Sequence, residues 1–302
     1  MTEYPAPAKL NLFLHVVGRR ADGYHLLQTL FRFLDYGDSV RIEPRGDGVI
    51  RLLNPLPGVP EAADLCYRAA RLLQDHTGCR LGADIGLDKR LPMGGGLGGG
   101  SSDAATVLMA LNRLWRLDLP REALQTLGLR LGADVPVFVY GRSAFAEGVG
   151  ERLQAVALPP AWYVVLTPPV QVATAAIFLH PGLTRDTPET RIPPLPEGCG
   201  HNDLEPVAVA AYPVIGEYLR WLGQYGDARM TGSGACVFAA FADPAKAAAV
   251  FARMGDNDPD YVSSDCPIAG RRIMQGIAEK DGPPRARREH PLSLLRIAYG
   301  IE

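Results

Sequence analysis

Residues 91–102 read Leu91-Pro92-Met93-Gly94-Gly95-Gly96-Leu97-Gly98-Gly99-Gly100-Ser101-Ser102, with six glycines in the seven positions from Gly94 to Gly100. A plain turn has no use for so many. Glycine lets a backbone approach a ligand closely and adopt positive φ. Just beyond the run, Ala104, Val107, Leu108, Leu111 and Leu114 recur at i, i+3, i+4 spacing, which marks a helix. The loop therefore ends where a helix begins, and free N–H groups converge there with the positive end of the helix dipole. Ser101 and Ser102 add hydroxyl groups at the same place. The expected ligand is an anion, a di- or triphosphate. A flexible Gly/Ser linker would not run into a well-patterned apolar helix.

Two other phosphate loops are excluded. A Walker A loop ends in Gly-Lys-Ser/Thr, and here Gly100 is followed by Ser101. A dinucleotide fingerprint needs a strand directly before it and an acidic residue about 20 positions later. Position 120 is a proline at a helix start.

Working outward, residues 8–17 alternate Leu10, Leu12, Leu14 and Val16 with Lys9, Asn11, Phe13 and His15. Period two predicts a strand with Lys9 and Asn11 side by side on one face. Further strands are expected at 38–43, 49–53 and 83–87. Helices are expected at 64–77, between an Asp64 cap and a Gly78 stop, and at 120–131. Pro159 and Pro160 predict a domain boundary. Beyond it come a strand at 162–168, a Pro-rich loop at 181–198 and a helix at 207–225. A glycine turn then feeds a strand at 235–241, followed by a helix at 244–254 and a strand near 260–265. Mixed elements without βαβ repetition predict α+β in both halves. The domains expected are 1–158 and 161–270. Residues 271–302, polar and interrupted by proline, read as a mobile tail, with a short helix at 292–298.

The 302 residues suit two medium domains, and an apolar share of 47% supplies a sizeable core. A net charge of −2 argues against a nucleic-acid protein, which needs a basic face. The five cysteines are odd in number and form no C-x-x-C pair. That argues against structural zinc or a disulfide framework, and for reduced thiols in a cytoplasm. No apolar stretch approaches the length of a membrane span, and the first twenty residues lack a secretory signal.

Three motifs together carry a resemblance: P-A-K-L-N-L at 7–12, L-P-M-G-G-G-L-G-G-G-S-S at 91–102 and T-G-S-G-A-C at 231–236. They are similar to the three motifs of the GHMP small-molecule kinases. R-A-D-G-Y-H at 20–25, L-G-A-D-V-P-V-F at 131–138 and A-F-A-E-G-V-G-E at 144–151 narrow it to the branch acting on a cytidine-linked polyol. The likeness covers residues 5–266. It implies a two-domain α+β fold with the active site in the cleft between domains. It also implies ATP as phosphoryl donor, Mg²⁺, and a small-molecule substrate, cytidine diphosphate-linked methylerythritol of the non-mevalonate isoprenoid route. The protein is expected to be cytoplasmic, a monomer or homodimer, with no nucleic-acid or membrane partner.

The resemblance also implies roles for single residues. Lys9 becomes a catalytic lysine, where the residues alone leave a snorkelling surface lysine open. Asp134 becomes the catalytic base, where Asp and Pro136 alone leave a turn equally open. Pro92, Met93 and the run Gly94 to Ser102 become the ATP site, with Lys89 near the base. Tyr24 and His25 become a platform that stacks on cytosine and reads its edge. Gly232, Ser233 and Gly234 close the cleft, and Asn11 and Thr174 contact substrate. Two other readings stay open: a kinase of this family for a simpler alcohol such as homoserine or mevalonate, and a non-catalytic nucleotide sensor.

Overall fold

β1 (Thr2–Arg19) and β2 (His25–Arg45) run antiparallel along nearly their whole length and form the spine of the molecule. The computed structural model describes residues 1–190, 200–253 and 271–275. The free edge of β2 is shared. Its second half pairs with β4 (Gly82–Asp88), and Thr29–Phe31 pair with β5 (Ala144–Glu147). β3 (Ile50–Leu52) and β6 (Arg152–Ala155) complete a six-stranded sheet.

β1 is covered on both faces, so Ala6 to Leu10 and Phe13 to Val16 are all buried. Register shifts at Pro7/Lys9, Asn11/Leu14 and Val16/Gly18 break strict alternation. One consequence matters for the site: Lys9, Asn11 and Leu14 face one cleft although Leu14 has the opposite parity. The first half of β2, missed in the sequence, is likewise buried on both sides, so no alternation showed there.

α1 (Leu65–Thr77) starts where expected, with the Asp64 carboxylate accepting from the N–H groups of Cys66 and Tyr67. It ends at Gly78 in the left-handed conformation. α2 (Gly99–Leu114) is buried all round from Ser102 to Leu111, so it is the central helix of this half rather than an amphipathic one. α3 (Arg121–Leu129) and α4 (Val135–Tyr140) pack beside it.

The second sheet has the order β10-β7-β9-β8, from β7 (Trp162–Leu166), β8 (Ala228–Met230), β9 (Val237–Phe241) and β10 (Arg271–Gln275). α5 (Thr174–Leu179), α6 (Glu205–Ala211), α7 (Pro213–Gly223) and α8 (Pro244–Arg253) accompany it. The two sheets change over between Ala155 and Trp162, around Pro159 and Pro160. Ala8, Leu10, Leu34, Leu97, Tyr163, Val165, Cys236 and Phe238 form a small core that joins them.

Two expectations are corrected. The single helix at 207–225 is two helices. Pro213 disfavours helical geometry at the residue before it, and Tyr212 sits at φ −134°, ψ 81°. The tail does not begin at 271, because Arg271–Gln275 pairs antiparallel with Trp162–Leu166 as an edge strand. The strand at 260–265 and the helix at 292–298 lie outside the described residues, as do Cys199 and Cys266. Cys66, Cys79 and Cys236 are free thiols. Among the described residues no helix is long and apolar enough to cross a membrane.

Candidate active site

A cleft of about 620 Å³ opens between the two sheets, and the glycine run lies along it from Pro92 to Ser101. The run is held by its carbonyl groups. Gly95 O accepts from Cys236 N at 3.1 Å, and Leu97 O accepts from Lys9 N at 3.0 Å. Gly96 O accepts from Lys9 Nζ at 3.0 Å and from Thr231 Oγ1 at 3.3 Å. These are the three carbonyls that Gly99, Gly100 and Ser101 would otherwise reach four residues back in a helix. Gly98, the cap residue, offers no side chain. The N–H groups of Gly99, Gly100 and Ser101 are therefore left open at the start of a 16-residue helix, and all three residues line the cleft.

Glycine is required at two positions for reasons of packing as well as φ. A Cβ on Gly96 (φ +75°) would stand 2.1 Å from Thr231 O. A Cβ on Gly98 (φ +73°) would stand 2.8 Å from the Phe138 ring and 3.0 Å from Lys9 Cε. The first glycine loop thus interlocks with the second, Gly232 to Gly234, which also lines the cleft. Asn202, missed in the sequence, holds the second loop by donating to Met230 O and Gly232 O at 2.9 and 2.8 Å.

Lys9 is the buried cation at the cleft floor, with only 2% of its side chain exposed. Its ammonium donates to Asn11 Oδ1 at 2.5 Å and lies 3.2 Å from Asp134 Oδ2. It also sits 5.5 Å from the centre of the Phe31 ring. Asp134 stands at the start of α4, directs no capping bond to that helix, and is 35% exposed toward the cleft. Asn11 is used internally: Nδ2 donates to Thr29 Oγ1 at 2.9 Å, and its own N–H donates to Thr231 Oγ1 at 2.9 Å. It orients Lys9. Thr29 and Thr231 are further residues that sequence reasoning missed, although Thr231 stands directly beside the Gly232 signal.

Thr174 Oγ1 shares a hydrogen bond of 2.7 Å with Ser233 Oγ, and both line the cleft. Ser101 lines it too, whereas the Ser102 hydroxyl is buried behind the helix. Lys89 lines the cleft, but its ammonium is engaged by Asp38 and Asp103. Tyr24 and His25 are not in the cleft wall. Tyr24 is 64% exposed in the turn between β1 and β2. His25 Nε2 accepts from Arg185 Nε at 3.1 Å, and its ring lies 5.2 Å from that of Phe178, which does line the cleft. Burial, followed by Arg185, holds His25 below the usual imidazole range. At the far end, Leu56, Val59, Ala63, Leu65 and Leu87 form an apolar recess, which the sequence did not single out.

Models of two domains match the chain: the GHMP kinases N terminal domain over residues 64–142, and the GHMP kinases C terminal domain over 191–260. A 4-diphosphocytidyl-2-C-methyl-D-erythritol kinase of Thiobacillus denitrificans is 65% identical over 260 residues, 86% of this chain and 94% of that one. The kinase of the same name from Aromatoleum aromaticum is 61% identical over 280 residues, 91% of this chain and 94% of that one. A crystal structure of a 4-(cytidine 5'-diphospho)-2C-methyl-D-erythritol kinase superposes with a TM-score of 0.74 at 35% identity, covering 92% of this chain and all of the other. The mevalonate kinase of Methanococcus jannaschii shares the fold, at a TM-score of 0.59 and 14% identity. The chain belongs to the 4-diphosphocytidyl-2-C-methyl-D-erythritol kinase family of GHMP kinases.

Proposed function

We infer that the chain transfers the γ-phosphoryl group of ATP to a hydroxyl of 4-diphosphocytidyl-2-C-methyl-D-erythritol, giving the 2-phosphate. The observation that carries the inference is the Lys9–Asp134 pair, at 3.2 Å, in the same cleft as the open N–H groups of α2.

The phosphates dock on the N–H groups of Gly99, Gly100 and Ser101, and the apolar recess beside Leu65 receives the adenine. The acceptor hydroxyl lies against Asp134. Its oxygen attacks the γ-phosphorus, the bond to the bridging oxygen breaks, ADP departs, and the hydroxyl proton passes to Asp134. Lys9, fixed by Asn11 and Gly96 O, supplies positive charge beside the transferring group. Among the described residues no group of three or more His, Cys, Asp or Glu could cage a metal ion. A Mg²⁺ carried in on the nucleotide would be held by the phosphates with the Ser101 hydroxyl of the cleft wall, and would supply positive charge against the triphosphate. Tyr24, exposed and unpacked, stacks on the cytosine, while His25 holds Phe178 and Arg185 beside it. A cytoplasmic location goes with this reading.

The test is transfer of labelled phosphate from ATP to the cytidine-linked substrate, with methylerythritol phosphate, mevalonate and homoserine as parallel acceptors. Label should appear in the first alone. Transfer to a simpler alcohol instead would move the chain to another acceptor. Binding of ATP without transfer to any acceptor would make it a sensor.

A further inference from the structure

A second charged group lies under the start of α2, and the phosphoryl transfer makes no use of it. Lys89 Nζ donates to Asp38 Oδ2 and, at 2.8 Å, to Asp103 Oδ2. The Asp38 side chain is fully buried and that of Asp103 is 3% exposed. A Cβ placed on Gly99 would stand 2.8 Å from Lys89 Nζ and 3.2 Å from Asp38 Oδ2. The cluster therefore touches the first residue of the turn that carries the open N–H groups.

The two carboxylates are not equally served. Asp38 Oδ1 accepts from the N–H groups of Arg90 and Leu91 at 2.5 and 2.7 Å, besides the bond from Lys89 to its other oxygen. Asp103 has Lys89 on one oxygen, while Oδ1 is buried without a partner. With both ionised, two carboxylates face one ammonium, leaving one net negative charge shielded from water. Among the described residues, the other groups that face the cluster come from α1 and its cap. The Cys66 thiol is pushed well above its ordinary range by burial, so it stays neutral, and Asp64 adds a further carboxylate. None supplies a second cation. A negative cluster under a phosphate site opposes phosphate binding unless it takes a proton.

We propose that Asp103, with Asp38 and Lys89, is a proton-linked positioning group: the cluster takes up a proton from solvent when a nucleotide phosphate docks on the start of α2. The proton resides on the Asp103 carboxyl and removes the excess charge, so Lys89 stays clamped under Gly99 while the phosphate is bound. Burial pushes Asp103 up to about 7, with Asp38 adding to the rise against the pull of Lys89. The group is thus poised near neutrality, and an added anion raises it further. This rests on reading the turn as the nucleotide phosphate site.

The experiment is calorimetric titration of the full chain with Mg·ADP at pH 8, in HEPES and in Tris, whose ionisation heats differ. The parent is expected to take up on the order of half a proton per ADP. Asp103→Asn and Asp103→Ser are expected to bind ADP with that uptake lost. A second measurement needs no variant: uptake by the parent should fade toward zero by about pH 5.5, where Asp103 already holds its proton. Equal uptake in parent and variants, no uptake in the parent, or uptake independent of pH would each overturn the proposal while the nucleotide site stands. A parent that binds no ADP would remove the nucleotide site itself, and the proposal with it.

Discussion

Two lysines flank the glycine run, Lys9 buried and Lys89 partly exposed, and they are partnered in opposite ways. Lys9 meets one carboxylate, Asp134, which is 35% exposed to the cleft, and its other partners are neutral. Lys89 meets two carboxylates, Asp38 and Asp103, both almost wholly buried. A pair with one open partner can exchange that contact for substrate. A cation clamped by two buried anions is held in place by them, and its removal strands charge in a low-dielectric place. The partnering thus suits the proposed chemistry in one case and architecture in the other.

The largest expected effect breaks the architectural member. Lys89→Met leaves Asp38 and Asp103 without their cation, so denaturant unfolding should show a loss of about 3–5 kcal/mol. The loss should be greater at pH 8 than at pH 6, where Asp103 accepts a proton. An unchanged midpoint at both pH values would contradict the clamped-cation reading. Next comes the chemical member. Lys9→Met should lower kcat by about 10²–10³ while ADP affinity, measured by calorimetry, changes little. Combining it with Asp134→Asn should cost far less than the product of the single effects, because the pair acts as a unit. A fully multiplicative double variant would separate their roles.

Smaller effects sharpen the contrast. Tyr24→Ala should raise the KM for the cytidine-linked substrate by about ten- to hundredfold, for a stacking contribution of roughly 1–3 kcal/mol. The KM for ATP should stay put, and an unchanged substrate KM would remove the stacking role. The smallest concerns pH. The folded pKa of Asp103 is raised, so the folded state binds more protons than the unfolded state between the ordinary carboxylate range and about 7. Its contribution to stability therefore falls as pH rises through that window. His15 and His25 work the other way: burial lowers both, so their contribution grows as pH rises through the imidazole range. The difference between parent and Asp103→Asn isolates the carboxyl. The parent should lose Tm relative to the variant between pH 5 and pH 8, and parallel curves would contradict the assignment.

The glycine turn that opens α2, the Lys9 and Asn11 face of β1 and the Asp64 cap of α1 were legible because each follows from local spacing. The changeover between the sheets was marked by Pro159 and Pro160. What escaped depends on tertiary contact. The Asp38, Lys89 and Asp103 cluster joins residues from β2, the segment after β4, and α2. In the sequence Lys89 read as a contact for the base. Gly96 read as a point of close approach to phosphate, yet its missing side chain is also needed for Thr231 O, 2.1 Å from a Cβ. Gly96→Val would thus pry apart the two loops, and Gly100→Val, whose Cβ meets only Leu65 Cδ1 at 3.2 Å, is the cleaner probe of phosphate binding. The edge strand Arg271–Gln275 lay hidden in a polar segment because an edge needs no apolar alternation to pair.

Phosphoryl transfer is proposed to occur at the Lys9–Asp134 pair. Its most direct test is single-turnover transfer of labelled γ-phosphate to the cytidine-linked substrate by Asp134→Asn, with ATP prebound and binding measured alongside. ATP should bind as in the parent and the transfer step should slow by about 10²–10⁴. A folded Asp134→Asn that transfers phosphate at the parental rate would contradict it.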